Sequence, residues 1–199
     1  MTDAALIHKF LNGDTGAFNT LVWRWEKPLF NFIYRNLGEQ DAAKDVCQTV
    51  FIRTFKELKR LRDPDKFSSW IYRIAHNLCK DEFKRRKRHR VVYLDEMSNN
   101  EDHAQSIRHV PDMSQQTPED ICHHEQVGEI LKEMLQELPE EQRIVVVMKQ
   151  YQGLKFTEIA AILNQPVNTI KSRLYYGLRA LRKMLEASEL KKEVLLHEM

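Results

Sequence analysis

Glycine, proline and long apolar runs are all scarce in this chain of 199 residues. With six glycines, six prolines and almost no alternation of apolar and polar residues, the sequence is not typical of a protein built from strands and turns. No stretch approaches the ~20 apolar residues that span a bilayer, and the N-terminus lacks the pattern of a secretory signal. We therefore expect a cytoplasmic, mostly helical protein that does not insert into membranes.

Cysteine is also scarce, and groups that could hold a metal or catalyse a reaction are missing. Cys47, Cys79 and Cys122 are odd in number and widely spaced, which favours reduced thiols over a disulfide framework. Cys122 stands beside two histidines, but adjacent ligands fit zinc spacing poorly. The chain has no phosphate-binding glycine-rich loop, no nucleophile elbow and no paired catalytic carboxylates. We expect no metal, no cofactor, no catalytic residue and no enzymatic activity.

Positive and negative charges are segregated along the chain, although the net charge is only +2. Residues 68–90 contain eight Lys or Arg and two acids, and residues 155–183 contain six Lys or Arg and one acid. Between these segments, residues 93–125 contain eight acids and one Arg. Two basic segments that flank an acidic one can attract a polyanion to two places and repel it from a third.

The spacing of apolar residues predicts an all-α fold of two helical domains. In the first domain, residues 1–90, the predicted helices cover residues 3–11, 15–37, 41–61 and a last helix from Phe67 onward. Residues 91–125 are acidic and poor in apolar residues, and we interpret them as a flexible acidic linker. In the second domain, residues 126–190, the predicted helices cover residues 127–138, 140–151, 156–163 and 167–188.

The segment FSSWIYRIAHNLCKDEFKRRKR, residues 67–88, predicts a helix with one apolar side and one mixed side. The apolar side holds Ile71, Ile74, Ala75 and Leu78. The mixed side holds Tyr72, Arg73, His76, Asn77, Lys80, Phe83, Lys84 and Lys87. Rings and planar groups beside cations suit unpaired bases and phosphates. The alternative is that Tyr72 and Phe83 pack against a neighbouring helix and that the cations are only solvated.

The segment FTEIAAILNQPVNTIKSRLYYGLRALRKM, residues 156–184, has the spacing of a helix-turn-helix. A short helix is followed by a sharp turn, and small Ala160 at the crossing allows the next helix to approach closely. The second helix of such a motif enters the major groove with its first turns. Its exposed N-terminal residues are Asn168, Thr169, Lys171, Ser172 and Arg173. The alternative is a helical hairpin with a solvated basic face.

Four stretches together resemble the bacterial sigma-70 family of RNA polymerase sigma factors, in particular its extracytoplasmic-function (ECF) type. In chain order they are NGDTGAFNTLVWRW, DAAKDVCQTVFIRTFKELKRL, FSSWIYRIAHNLCKDEFKRRKR and LPEEQRIVVVMKQYQGLKFTEIAAILNQPVNTIKSRLYYGLRALRKML. They cover roughly residues 5–185 in the family's order and spacing. The combination of the four, rather than any one of them, makes the resemblance specific.

The resemblance implies a factor that binds core RNA polymerase, directs it to promoters and helps to open them. The polymerase-binding residues would be Asp41, Asp45, Gln48, Thr49 and Arg53. The −10 promoter element would be bound by Tyr72, Arg73, His76, Asn77, Lys80, Lys84 and Arg85, behind a base-trapping loop at residues 62–69. The −35 element would be bound by Asn168, Thr169, Lys171, Ser172, Arg173, Tyr176 and Arg179. The implied partners are core RNA polymerase, promoter DNA and an anti-sigma factor.

Three positions in the helix-turn-helix depart from the family's usual pattern. Asn164 stands where the turn often has Gly, and Asn tolerates the left-handed conformation nearly as well. Lys155 stands where a hydroxyl usually caps the short helix, which predicts a weaker cap. Asn168 replaces a common Gly near the start of the recognition helix. The fold is therefore expected to hold, whereas the preferred −35 sequence is not defined by the resemblance.

Two other functions compete with a sigma factor. The first is a self-sufficient helix-turn-helix regulator with an N-terminal sensing bundle, which would need a second copy to bind two half-sites. The second is a metal-dependent enzyme of nucleic acids, for which the ligand set is missing. A chain with two unlike DNA-binding modules favours the sigma factor, which binds one asymmetric promoter.

Overall fold

The computed structural model describes the backbone of residues 1–96 and 118–187 and the side chains of residues 1–88 and 128–187. Across these ranges the secondary structure is entirely helical, in agreement with the all-α prediction. No helix in these ranges combines the length and apolar character required to cross a membrane.

The first domain is a bundle of four helices. They are α1 (Asp3–Leu11), α2 (Thr15–Leu37), α3 (Gln40–Glu57) and α4 (Phe67–Glu96), with short 3-10 turns at Leu58–Arg60 and Pro64–Lys66 between the last two. Phe32, Leu58, Phe67 and Ile71 are almost completely buried where these helices meet. The apolar stripes predicted from the sequence therefore form one core.

The ends of the first helices follow from local chemistry. The side chains of Thr2 and Asp14 accept hydrogen bonds from the backbone N–H groups of Ala5 and Ala17, which caps α1 and α2. Gly38 ends α2 in a left-handed conformation, with φ of 76°, as glycine at this position commonly does. The predicted bounds of α1 and α2 are confirmed.

The second domain contains the remaining four helices. They are α5 (Pro118–Glu137), α6 (Glu140–Val146), α7 (Phe156–Leu163) and α8 (Val167–Ala187), and α6 continues into a π-helical turn at Val147–Tyr151. Val145, Val147, Ile159 and Ile170 are fully buried between α6, α7 and α8. This packing holds α7 and α8 as a helix-turn-helix.

The helices extend into both ends of the segment predicted to be a linker. In the structure α4 continues to Glu96 and α5 begins at Pro118, whereas the predicted linker covered residues 91–125. The side chains of its acidic residues, and those of Cys122 and its neighbouring histidines, lie outside the described residues. The predicted end of the last helix at residue 188 and the predicted end of the second domain at residue 190 also lie outside the described residues.

The two domains pack against each other. Helix α7 of the second domain lies against α4 of the first, and α5 lies against α2. The buried apolar residues of both domains form one cluster. This arrangement determines which faces of α4 are accessible.

Candidate nucleic-acid interface

The polar face of α3 is exposed in the part of the chain that the structure describes. Asp41, Asp45, Gln48 and Arg53 are exposed, and Thr49 is half-buried, with its hydroxyl donating to the Asp45 carbonyl at 2.8 Å. The only ion pair formed by Asp41 among the described residues is a surface contact with Lys44, 3.2 Å between Nζ and Oδ1. Such an exposed pair contributes little to stability, so these side chains remain available to a partner.

Five residues of the predicted −10 set are exposed on α4. They are Arg73, Asn77, Lys80, Lys84 and Arg85. The Arg85 guanidinium donates to Glu82 at 2.8 and 2.9 Å, and this contact lowers the pKa of the Glu82 carboxyl. Asn77, Lys80 and Lys84 therefore carry the exposed amide and the unpaired positive charge of this face.

Tyr72 was predicted on the exposed side of this helix, and that placement is wrong. Its side chain is 4% exposed and packs edge-on against Trp25 and Phe32, with ring centroids 5.6 and 5.1 Å apart. Burial raises the pKa of its hydroxyl, which donates to the side-chain oxygen of Gln152 in the second domain. The alternative of packing against a neighbouring helix is the one that holds.

Arg73, like Tyr72, contacts the second domain, and His76, one turn further along α4, is half-buried. Arg73 donates from Nη2 to the carbonyl of Ala161 in α7 at 2.7 Å. Burial, together with the nearby Lys80, lowers the pKa of His76 to about 4. His76 is therefore neutral near pH 7 and contributes no charge to this face in the observed arrangement.

The loop predicted to trap a base is shorter than expected. Residues 64–66 form a 3-10 turn, in which Asp63 accepts from the backbone N–H of Asp65 at 3.1 Å. Helix α4 begins at Phe67, which is buried against Trp25. Only Arg62–Lys66 of the predicted loop thus precedes the helix.

The turn between α7 and α8 takes the predicted form. Asn164 adopts the left-handed conformation, with φ of 51°, and is the only non-glycine residue in the described part of the chain with positive φ. At the other end of α7, Lys155 provides no side-chain cap, as predicted, but its backbone N–H donates to the Glu158 carboxylate at 2.6 Å. The Glu158 side chain thereby supplies one of the two hydrogen bonds of a capping box.

The first turns of α8 present several predicted −35 residues to solvent. Asn168, Lys171 and Ser172 are exposed and Thr169 is half-buried, and the Ser172 hydroxyl donates to the Thr169 carbonyl at 3.0 Å. Further along, Tyr176 is 54% exposed. Arg179 is exposed as well. These side chains lie along the surface that a helix-turn-helix turns towards DNA.

Arg173 has a different environment from its neighbours in the recognition helix. Its guanidinium forms an ion pair with Glu141 of α6, and its side chain is only 21% exposed. The pair joins α8 to the helix behind it. This geometry gives Arg173 a contact inside the domain, whereas Lys171 and Ser172 have none beyond their own helix and the ring of Phe156.

Two features of α8 were not singled out from the sequence. Tyr175 is 61% exposed, on the same side as Lys171 and next to Tyr176, whose ring it contacts edge-on. Gly177 is buried, and a Cβ atom there would lie 2.8 Å from a methyl group of Val146. Only glycine therefore permits the observed approach of α8 to α6, although the sequence offered no signal beyond a lone Gly within a helix.

Cys47 and Cys79 are buried free thiols, as predicted for reduced cysteines. Burial raises the pKa of Cys47 to about 11 and that of Cys79 to about 12, with smaller contributions from Glu26 and Glu140 respectively. Both thiols are protonated near pH 7 and have the character of inert core residues.

A helical bundle with an exposed basic helix, followed by a helix-turn-helix, is typical of proteins that bind DNA in transcription. The family model described as Sigma-70 region 2 matches residues 21–89, and that described as Sigma-70, region 4 matches residues 128–181. The chain is 34% identical to the ECF RNA polymerase sigma factor SigW of Bacillus subtilis, over 90% of this chain and 94% of that protein.

The chain therefore belongs to the sigma-70 family of RNA polymerase sigma factors and is of the ECF type. It is a sigma factor that binds core RNA polymerase and directs promoter-specific initiation of transcription. The self-sufficient regulator considered from the sequence is not supported, because both domains match sigma-factor models.

Two solved structures share the fold. One is CnrH in complex with the cytosolic domain of CnrY, with a TM-score of 0.67, 22% identity and coverage of 94% of this chain and 99% of that one. The other is the sigma factor RpoE in complex with the anti-sigma factor NepR from Bartonella quintana, with a TM-score of 0.67, 19% identity and coverage of 86% and 98%.

Proposed function

We propose that the polar face of α3 binds core RNA polymerase. The observation that supports this role is the exposure of Asp41, Asp45, Gln48 and Arg53 on one helix. A row of exposed polar side chains on a rigid helix suits a polar protein surface, where charge complementarity determines the register of binding. As a sigma factor the protein acts in the cytoplasm on core polymerase and has no enzymatic activity of its own.

Promoter DNA is bound at two places in this proposal. Arg73, Asn77, Lys80, Lys84 and Arg85 of α4, with the half-buried His76, contact the −10 region, where planar groups and cations suit a separated strand. Asn168, Thr169, Lys171 and Ser172 contact the −35 element in the major groove, and Tyr176 and Arg179 contact the phosphates beside it. Arg173 acts here through its ion pair with Glu141, by holding α8 in place.

An anti-sigma factor is proposed as a third partner. RpoE from Bartonella quintana was solved with the anti-sigma factor NepR, and CnrH with the cytosolic domain of CnrY. Both share the fold of this chain, and we propose that an anti-sigma factor of this chain covers its α3 or α8 faces.

The proposal is tested by the dependence of promoter binding on core polymerase. We expect purified core enzyme to retain the chain in a pull-down, and the resulting holoenzyme to bind promoter fragments tightly. The free chain should bind the same duplexes weakly and with steep salt dependence, because phosphate contacts dominate its affinity. Tight, sequence-specific binding by the free chain, with no retention by core enzyme, would instead identify a self-sufficient regulator.

A further inference from the structure

The cations that follow one another along α4 do not share one environment. Residues 84–88 read KRRKR. Lys84, Arg85, Lys87 and Arg88 are exposed, whereas Arg86 is half-buried, with 33% of its side chain exposed. Among the side chains that the structure describes, Arg86 is the one cation of this run that contacts another helix. Its role therefore differs from that of a solvated cation in a basic run.

Arg86 attaches α4 to the corner between α2 and α3. Its Nη1 donates to the Leu37 carbonyl at 3.3 Å, at the C-terminal end of α2. Its Nη2 forms an ion pair with Glu39 Oε2 at 2.8 Å, and Glu39 immediately precedes α3. A cation beside the last carbonyls of a helix and an anion before the first turn of the next are both favourable. One guanidinium thus joins three helices of the first domain.

The same guanidinium also orders the charges on α4 itself. Its Nε donates to Glu82 Oε1 at 2.9 Å, and the Glu82 side chain is only 10% exposed. The Glu82 carboxylate accepts two further hydrogen bonds from Arg85, at 2.8 and 2.9 Å. Arg86 therefore holds the carboxylate that orients Arg85. A planar guanidinium can make these three contacts at once, whereas the ammonium of a lysine is a point charge.

Direct contact of Arg86 with a phosphate is the alternative role. Its place in a basic run favours that role, but all three of its guanidinium nitrogens already face a protein partner. Lys84 and Arg85, which are exposed beside it, are proposed contacts of the −10 element. Their position relative to DNA depends on where this part of α4 lies. Arg86 is the side chain furthest along α4, among those described, that fixes this part of the helix to its neighbours.

We infer that Arg86 is a positioning residue of the −10 surface: it attaches α4 to the α2–α3 corner and thereby sets where Lys84 and Arg85 meet the promoter. The inference rests on the proposed −10 role of α4. It gives Glu39 a role opposite to the one expected from its charge. Removal of an acid near a DNA-binding face normally strengthens DNA binding, because it removes repulsion. Removal of Glu39 should weaken DNA binding, because it releases Arg86.

Four variants of the full chain test this role in reconstituted holoenzyme. They are Arg86→Gln, Arg86→Lys, Glu39→Ala and the double variant Glu39→Ala, Arg86→Gln. Arg88→Gln is the matched control, because it removes a positive charge from the same run but no contact with another helix among the described side chains. Circular dichroism and titration with core enzyme establish helicity and the concentration of each holoenzyme, so that lost folding or lost docking is not counted as lost DNA binding.

The measured quantity is the ratio of affinities for two fragments of a promoter that the wild-type holoenzyme transcribes, one with the −10 element intact and one with it replaced. Arg86→Gln and Glu39→Ala should each lower this ratio about 3- to 10-fold. The double variant should stay within about 2-fold of either single variant, because both break the same pair. Arg86→Lys should resemble Arg86→Gln. Arg88→Gln should change both affinities alike and leave the ratio at the wild-type value.

The opposite results are equally specific. If Glu39→Ala strengthens binding while Arg86→Gln weakens it, or if Arg86→Lys restores the ratio fully, Arg86 acts through its charge and the inference is wrong. An unchanged ratio in Arg86→Gln would also overturn it, since Arg86 would then serve stability alone. If the wild-type holoenzyme does not distinguish the two fragments, the proposed −10 role of α4 fails and the inference falls with it. That failure is seen in the wild type, whereas failure of the inference alone is seen only in the variants.

Discussion

Single side chains of α8 show how position in a motif and contacts in the fold can disagree. Arg173 stands among residues that a helix-turn-helix directs to DNA, and the sequence predicted a base contact for it. In the structure its guanidinium is paired with Glu141 of α6. The sequence could not reveal this pair, because Glu141 lies 32 positions away and pairs with α8 only after the domain has folded.

Replacement of Arg173 is expected to affect all −35 sequences alike. Loss of a partly exposed ion pair costs about 0.5–1 kcal/mol, so Arg173→Ala should lower promoter occupancy roughly 2- to 5-fold whatever the −35 sequence. The measurement is selection of a −35 library with holoenzyme containing the variant. The double variant Glu141→Arg, Arg173→Glu should restore occupancy. A changed base preference in Arg173→Ala, with no rescue by the double variant, would assign Arg173 to base reading instead.

Gly177 offers a second test at the scale of one residue. In Gly177→Ala the new methyl group would meet the Val146 side chain at 2.8 Å in a fully packed site. We expect destabilisation by roughly 1–3 kcal/mol, measured by denaturant unfolding. Gly128→Ala in α5 is the control, because no atom lies within 4 Å of its added Cβ and alanine should stabilise that helix by up to about 1 kcal/mol. Equal effects of the two substitutions would contradict the packing described for α8.

At the scale of helices, local sequence patterns determined most of the boundaries. Gly38 and Asn164 end α2 and α7 in the left-handed conformation, which was expected for Asn164 and which glycine adopts without steric cost. Tyr72 was misplaced because its spacing puts it beside Arg73, whereas the rings that surround it come from α2. Helical periodicity can assign the side of a helix that faces one neighbour. Helix α4 has three neighbours, α2, α3 and α7, so periodicity alone does not place all of its side chains.

The exposed face of α3 gives the prediction at this scale. Gln48→Lys or Asp45→Lys should weaken binding to core polymerase at least 10-fold. Each substitution places a positive charge on an acidic face, where it meets the same partner surface. Helicity should be unchanged, since both side chains are exposed. A titration of labelled chain with core enzyme measures the affinity. Glu137→Lys, an exposed acid of α5, is the control, and a loss of affinity as large in this control would show that net charge rather than the α3 face is responsible.

At the scale of the whole molecule, the order of the four sequence stretches predicted the family and the two domains. The packing of the two domains against each other could not be predicted, because its contacts join residues far apart in the chain, such as Tyr72 with Gln152 and Arg35 with Gln136. No periodicity connects such pairs. Charge segregation indicated two places for a polyanion, but only the structure reveals that Arg73 of the first place also contacts the other domain.

Run-off transcription with reconstituted holoenzyme on a library of genomic fragments tests the function of the whole chain. We expect transcripts that depend on both core polymerase and this chain, and whose start sites align on one −10 and one −35 sequence at a fixed spacing. Core enzyme alone is the control and should give none of these starts. Aligned starts that persist without the chain, or transcripts that share no upstream elements, would contradict its role as a promoter-directing sigma factor.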